Sequence, residues 1–208
     1  MTSQDHVIKR ATMAVVASAL LLSMNAVAQE MRSEISVQGT GSFTKDSEGN
    51  GVRNEVTETG GVLVGYRYDM NRWIAAEADY GYSRNTQIYS GFTPARVQAN
   101  IHQIAGAAVV KLPPFLLFLR PFLLGGGGVL VFDPTNNQGG TFIGASQQTR
   151  GTFLYGGGVD CPLLSNHLGL RVEYRGLVYK APDFNVVSLN TDAWTHVAQP
   201  SAGFVFRF

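Results

Sequence analysis

At 208 residues the chain fits one domain with a modest excess. Lys and Arg total 16 against 15 Asp and Glu, a balance without the basic excess that a nucleic-acid binder carries. A single cysteine, Cys161, excludes an internal disulfide, so an exported domain of this size relies on its hydrogen-bonded framework and burial.

The excess lies at the front. Lys9 and Arg10 precede an apolar run from Ala11 to Leu22, and "AVA" follows before Gln29. A basic region, a short hydrophobic region and a small-x-small site form the pattern of a secretory signal peptide. The run is shorter than the roughly 20 apolar residues of a spanning helix. The expected domains are a signal peptide over 1–28, cut between Ala28 and Gln29, and a barrel domain over 29–208. The absence of a cysteine just after the cut argues against a lipoprotein. Loss of 1–28 leaves 14 basic and 14 acidic residues.

The rest alternates at period two, the strand signal, with no sustained helical period. A first strand is predicted over 34–43, with Ile35, Val37, Gly39, Gly41 and Phe43 on one face. The polar stretch 44–56 reads as a loop. Strands at 59–68 and 73–84 flank a tight turn at 69–72. Within 73–84, Glu77 and Asp79 lie on the face opposite Ile74, Ala76 and Tyr80. A polar loop (85–97), a strand (98–112) and the apolar stretch "LPPFLLFLRPFLLGGGGVLVF" (112–132) come next. Pro113, Pro114, Pro121, Arg120 and four consecutive glycines oppose a membrane helix there. Instead it supplies a short turn and a fifth strand, apolar on both faces. A loop at 133–149, a strand at 152–160 and a turn at 161–166 lead to the clearest strand, 167–180. It carries Arg171, Glu173 and Arg175 on its polar face. A loop at 181–195 and a strand at 197–208 close the chain.

Eight strands whose connections alternate long and short are the rhythm of an outer-membrane up-and-down barrel, with short periplasmic turns and long outer loops. Strands of 9–12 residues suit a tilted crossing. Alternation alone does not say which face points inward: a soluble periplasmic barrel with an apolar ligand cavity has the same pattern. Opposite charges on one polar face, and aromatics near strand ends (Tyr66, Tyr68, Trp73), favour the membrane.

The terminal "GFVFRF" resembles the closing strand of bacterial outer-membrane barrels, which end on an aromatic. With the hairpin "GYRYDMNRWIAAEADYGY", residues 33–208 resemble the small eight-stranded barrels of the OmpA-like and OmpX-like superfamily. The resemblance implies an all-β, eight-stranded antiparallel transmembrane barrel in the bacterial outer membrane. It also implies recognition by the barrel-assembly machinery through Phe204, Phe206 and Phe208. The soluble peptidoglycan-binding domain of full-length OmpA-like proteins has no counterpart here, so no tether to the cell wall is implied.

An eight-stranded interior is filled by side chains, which excludes a general diffusion porin. Glu77, Asp79, Arg171, Glu173 and Arg175 form the expected lumenal ionic cluster, either as a salt-bridged plug or as a gate that exchanges partners. The primary expectation is a structural or surface-exposed role, with minor passive ion or small-solute passage. A lipid-modifying enzyme is the alternative from another class. However, His102, His167 and His196 are scattered, and none has an obvious acid partner or a G-x-S-x-G context. No catalytic, cofactor or metal residue is assigned, and no nucleic-acid partner. The outer loops, with Tyr89, Phe92, Phe142 and Trp194, are candidates for ligand contact by a monomeric scaffold. Gly125–Gly128 and Gly156–Gly158 are expected to form one glycine patch where the wall bends or aromatics pack across it.

Overall fold

A computed structural model describes residues 32–91, 95–114, 119–135, 146–165 and 167–208. The proposed cleavage residues Ala28 and Gln29, together with Phe92 and Phe142, lie outside these. Ten strands form one antiparallel sheet: β1 (Ser33–Thr44), β2 (Ser47–Gly49), β3 (Val52–Val56), β4 (Thr59–Asp69), β5 (Ile74–Ser90), β6 (Ala95–Lys111), β7 (Arg120–Pro134), β8 (Gln148–Ser165), β9 (Leu168–Lys180) and β10 (Trp194–Arg207).

Eight of them close a barrel. β1 pairs with β4 on one side and with β10 on the other, and each remaining wall strand pairs with its sequence neighbours. Closure leaves no wall edge unpaired, the condition for β-structure to cross lipid. The two chain ends meet: Ser33 and Phe208 exchange backbone hydrogen bonds of 3.0 and 2.9 Å. The short β4–β5, β6–β7 and β8–β9 connections share that end of the barrel.

The polar face points inward. On β1, Glu34, Ser36, Gln38, Thr40 and Ser42 are buried, whereas Val37 is 51% exposed and Phe43 45%. The same inversion runs around the wall, where Val62, Ile104, Leu123, Val172 and Phe204 all face out. This is the membrane order, and it excludes the soluble barrel with an apolar cavity. Tyr66, Tyr68, Trp73 and Phe206 are exposed toward the short-turn end, with Phe43, Tyr82, Phe153 and Trp194 toward the other. Such belts suit the lipid–water boundary.

The structure corrects several boundaries. Stretch 44–56 contains the β2–β3 hairpin, and β3 pairs with the outer end of β5. Residues 85–97 are largely strand, because β5 runs to Ser90 and β6 begins at Ala95. β8 continues through the expected 161–166 turn to Ser165, with a register shift between Pro162 and Ser165. Beyond the lipid the outward face meets water, as at exposed Arg96, and the inward face joins a buried apolar cluster with Tyr89, Val97 and Ala99. The apolar alternation fades there while backbone pairing continues. Trp194 belongs to β10, and Tyr89 sits on β5, 1% exposed, so it is no loop aromatic.

The fifth wall strand, β7, acquires its two faces only in the barrel. Phe122, Leu124, Leu130 and Phe132 point inward and are buried, while Leu123 is 55% exposed to the lipid side. Its glycines do not face those of β8: Gly125–Gly128 pair with Tyr155–Thr152, and Gly156–Gly158 pair with Leu124–Phe122. The glycine run instead lies beside Ala105–Ala108 of β6. A Cβ on inward Gly126 would fall 2.0 Å from the Gly106 carbonyl oxygen, so the backbones approach too closely for any side chain. On the outer wall, Gly176 is covered by the Tyr155 ring, an aromatic packed over its paired glycine.

These contacts separate two neighbouring positions. Gly126→Val is expected to prevent or severely slow folding into detergent micelles. Gly125→Val, where an added Cβ meets nothing within 4 Å, should fold normally. Heat-dependent gel mobility measures both, and equal folding of the two variants would contradict the close approach.

Candidate functional site: the charged lumen and its closures

Inward positions on neighbouring strands stack charges into two layers. In the layer farther from the chain ends, Arg175 on β9 reaches three carboxylates. Its Nη2 lies 2.5 Å from Glu77 Oε1, its Nη1 2.8 Å from Asp79 Oδ2, and its Nε 2.5 Å from Glu173 Oε1. Arg175 is fully buried. Arg171, two residues along the same face, lies 3.6 Å from Glu77 and links this layer to the next. All five residues expected to form the lumenal cluster therefore converge.

Sequence reasoning missed the other half of the network. Arg171 donates to Asp160 Oδ1 at 2.6 Å and to Glu34 Oε2 at 2.7 Å. Arg207 donates to Glu34 Oε1 at 3.0 Å and to Asp160 Oδ2 at 3.1 Å. Arg67 donates through Nε to Glu77 Oε2 at 2.6 Å. A signal for all four missed residues was available. Glu34 precedes Ser36 and Gln38 on a polar face, Arg67 sits between outward Tyr66 and Tyr68, and Arg207 between Phe206 and Phe208. Asp160 belongs to the same inward series on β8. Strand parity places each inside, but only closure shows which strands meet across the lumen.

The pairing answers an electrostatic demand. A lone buried charge costs several kcal/mol, and removing one partner of a buried pair typically costs about 3–5 kcal/mol. Phe122 adds a surface to the arginines: its ring lies 4.2 Å from Arg67 Cζ and 5.1 Å from Arg171 Cζ, within cation–π range. Above the ions lies an amide layer. Gln38 donates to Glu173 at 3.3 Å, Gln103 to Asp79 at 3.1 Å, and Gln199 to Gln103 at 3.2 Å.

The far end is closed by apolar packing. Phe184, in the connection between β9 and β10, is fully buried among Tyr89, Phe132 and Tyr179. Its ring meets Tyr89 at 6.5 Å and Phe132 at 6.4 Å, both edge-on. Its φ of 51° is unfavourable for a side chain with a Cβ, and the surrounding loop holds it. Gln148 Oε1 accepts from the backbone N–H of Asp183 at 2.9 Å and of Phe184 at 3.1 Å. Tyr89 donates to the Pro182 carbonyl at 2.7 Å, and Arg150 pairs with Asp183 at 3.1 Å. The 181–184 stretch, within the segment expected as a loop, is thus the stem of a plug. The β2–β3 hairpin leans on the same connection through Asn50 Nδ2, 3.2 Å from the Asn190 carbonyl. On that surface the Lys180 side chain donates to Asp192, which holds the Asp192 carboxyl below the usual range.

The three histidines remain apart. His102 meets the Tyr80 hydroxyl at 2.7 Å, His196 the Tyr155 hydroxyl at 2.9 Å, and His167 the Arg207 carbonyl at 3.1 Å. Among the described residues no group of three or more His, Cys, Asp or Glu is arranged to hold a metal. Phe204 and Phe206 face lipid on β10, and Phe206 stacks with Phe208 at 6.0 Å.

Comparison with solved structures places this geometry among small outer-membrane barrels. OprG from Pseudomonas aeruginosa matches with a TM-score of 0.57 at 13% identity, over 87% of this chain and 98% of that one. Neisserial surface protein A matches at 0.55 and 16%, over 84% and 97%. Ail of Yersinia pestis, an attachment invasion locus protein, matches at 0.50 and 16%, over 86% and 100%. At such identities the likeness concerns the fold. A search of curated protein sequences gives no match. The family model for the outer membrane protein β-barrel domain matches residues 14–208. The chain belongs to that family, and it is an integral β-barrel of the bacterial outer membrane.

Proposed function

We propose that this barrel is a sealed scaffold that presents its outer loops at the cell surface, and that its lumen does not conduct. The observation that carries this reading is the double closure. The Arg175 carboxylate cluster fills one section of the interior, and the Phe184 plug covers the outer end. Eight strands leave room for little else. The space lined by Gln103, Gln199, Ser42 and Leu177 is small, about 30 Å³.

A surface role draws support from the outer architecture. β5 and β6 have 17 residues each and β8 has 18, against the roughly 9–11 that a tilted crossing needs. The hairpin, the extended strands and the β9–β10 connection form a hydrogen-bonded crown, a rigid mount for recognition. Ail has also been crystallised with the heparin analogue sucrose octasulfate. The separation of the three histidines supports a role without catalysis. The alternating β10, with Phe204 and Phe206 on its outward face and Phe208 directly after it, supports recognition by the assembly machinery through these three residues.

A gate is the second reading. The observation favouring it is that Arg175 contacts three carboxylates, so loss of one leaves two ready partners.

In planar bilayers the wild-type protein should stay silent at all voltages and salts tested. Wild-type channel events whose size or frequency changes in Glu77→Gln would overturn the sealed reading in favour of the gate. Arg175→Leu leaves Asp79 and Glu173 without their cationic partner and is expected to lower stability by roughly 3–5 kcal/mol, measured by urea unfolding of the micelle-folded protein. An unchanged midpoint would show that the cluster does not hold the barrel together. Glu48→Cys in a Cys161→Ser background should react with a membrane-impermeant maleimide on intact cells. Labelling only after cell lysis would place the hairpin on the wrong side of the membrane.

A further inference from the structure

At the end bearing the termini and short turns, the lumen opens into a cavity of about 350 Å³, within the usual size range of small-molecule pockets. The lower ionic layer forms its floor. The cationic side chains Arg67, Arg72, Lys111, Arg120 and Arg207 line it against three carboxylates. Those carboxylates are already engaged: Glu34 and Asp160 by Arg171 and Arg207, and Asp69 by Lys111. The lining therefore carries an excess of two positive charges.

Arg67 is what distinguishes this cavity from a solvated mouth. Its side chain is 1% exposed, yet neither Nη1 nor Nη2 has a hydrogen-bond partner among the described residues. Nη1 stands 3.9 Å from Glu34 and 3.8 Å from Asp160, ion-pair contacts beyond hydrogen-bond length. Nε is fixed on Glu77, and the guanidinium plane is stacked on Phe122. Arg207 Nη1 is likewise buried without a hydrogen-bond partner. A fork of unused donors held rigid by stacking matches an oxyanion, which an arginine can grip with two parallel bonds. Leaving those donors buried and unused is costly, so a ligand that supplies acceptors there recovers a penalty the fold already bears. The remaining walls are apolar: Trp73, Leu112, Pro114 and Pro121.

We propose that this periplasmic vestibule binds a small organic anion. Its carboxylate or phosphate group is held by Arg67 and Arg207, and its compact apolar body lies against Trp73 and the prolines. The site is a dead end, because the ionic layers that form its floor close the lumen behind it. This distinguishes it from a permeation pathway and makes it independent of the loop surface at the other end.

Trp73 reports on the site, and the only other tryptophan, Trp194, is removed by Trp194→Phe. The full barrel in micelles is titrated with phenyl phosphate, benzoate and the neutral analogue benzyl alcohol, and Trp73 emission is followed. A saturable change with phenyl phosphate or benzoate, and none with benzyl alcohol, is expected. The preferred anion indicates whether phosphate esters or carboxylates are the natural class. Arg67→Gln should weaken binding at least tenfold and the rim variant Arg120→Gln at least threefold. If Arg67→Gln does not fold, Arg120→Gln decides. The proposal fails if neither anion gives a saturable change, if benzyl alcohol titrates equally well, or if the folded arginine variants bind as wild type.

Discussion

Among the described residues four arginines and five carboxylates are buried inside this barrel, and the rest of the molecule depends on their being paired. A charge transferred out of water without a partner is not tolerated, and no single strand carries its own complete set of partners. Glu34 on β1 needs Arg171 on β9 and Arg207 on β10; Glu77 on β5 needs Arg67 on β4 and Arg175 on β9. The network therefore acts as a lock on closure. It links strands that lie far apart in the sequence, and it is satisfied only when the wall is complete and in register. A one-residue slip of any one of these strands would turn that strand's charges to the lipid face.

The two ends of the lumen are handled by different physics. The outer end is closed by an aromatic plug that a loop carries in, with polar side chains gripping the loop's backbone so that Phe184 can hold an unfavourable φ. The end that bears the termini is left open over an arginine-rich lining. The interior thus holds paired charges in the middle, apolar packing at one end and a cationic lining at the other. This arrangement is what the proposed sealed scaffold and the proposed anion pocket rest on.

The wall also shows how glycine serves a sheet that must curve. β6 and β7 approach so closely at Gly126 that a methyl group has no place, and across the outer surface Tyr155 lies over Gly176. Expecting the glycine runs of β7 and β8 to meet was reasonable from their spacing. The register refuted it, because a strand offset is set by turns and core partners rather than by likeness of composition.

Several features were legible residue by residue. The alternation through Glu77 and Asp79, and through Arg171, Glu173 and Arg175, put those side chains on one face each, since successive residues of a strand point in opposite directions. The rhythm of long and short connections implied an up-and-down closed sheet. Where one face was consistently apolar, strand identity followed. Sequence alone determined that much, because period and turn chemistry are local. Only the tertiary structure decided that the polar face points inward, that Phe122 and Leu124 rather than Leu123 line the lumen, and that the strands run on past the lipid. It alone brought Arg67 and Arg207 to one vestibule and Phe184 into the opposite mouth. These outcomes rest on which strands close against each other and on the tilt of the wall, distances no local pattern encodes.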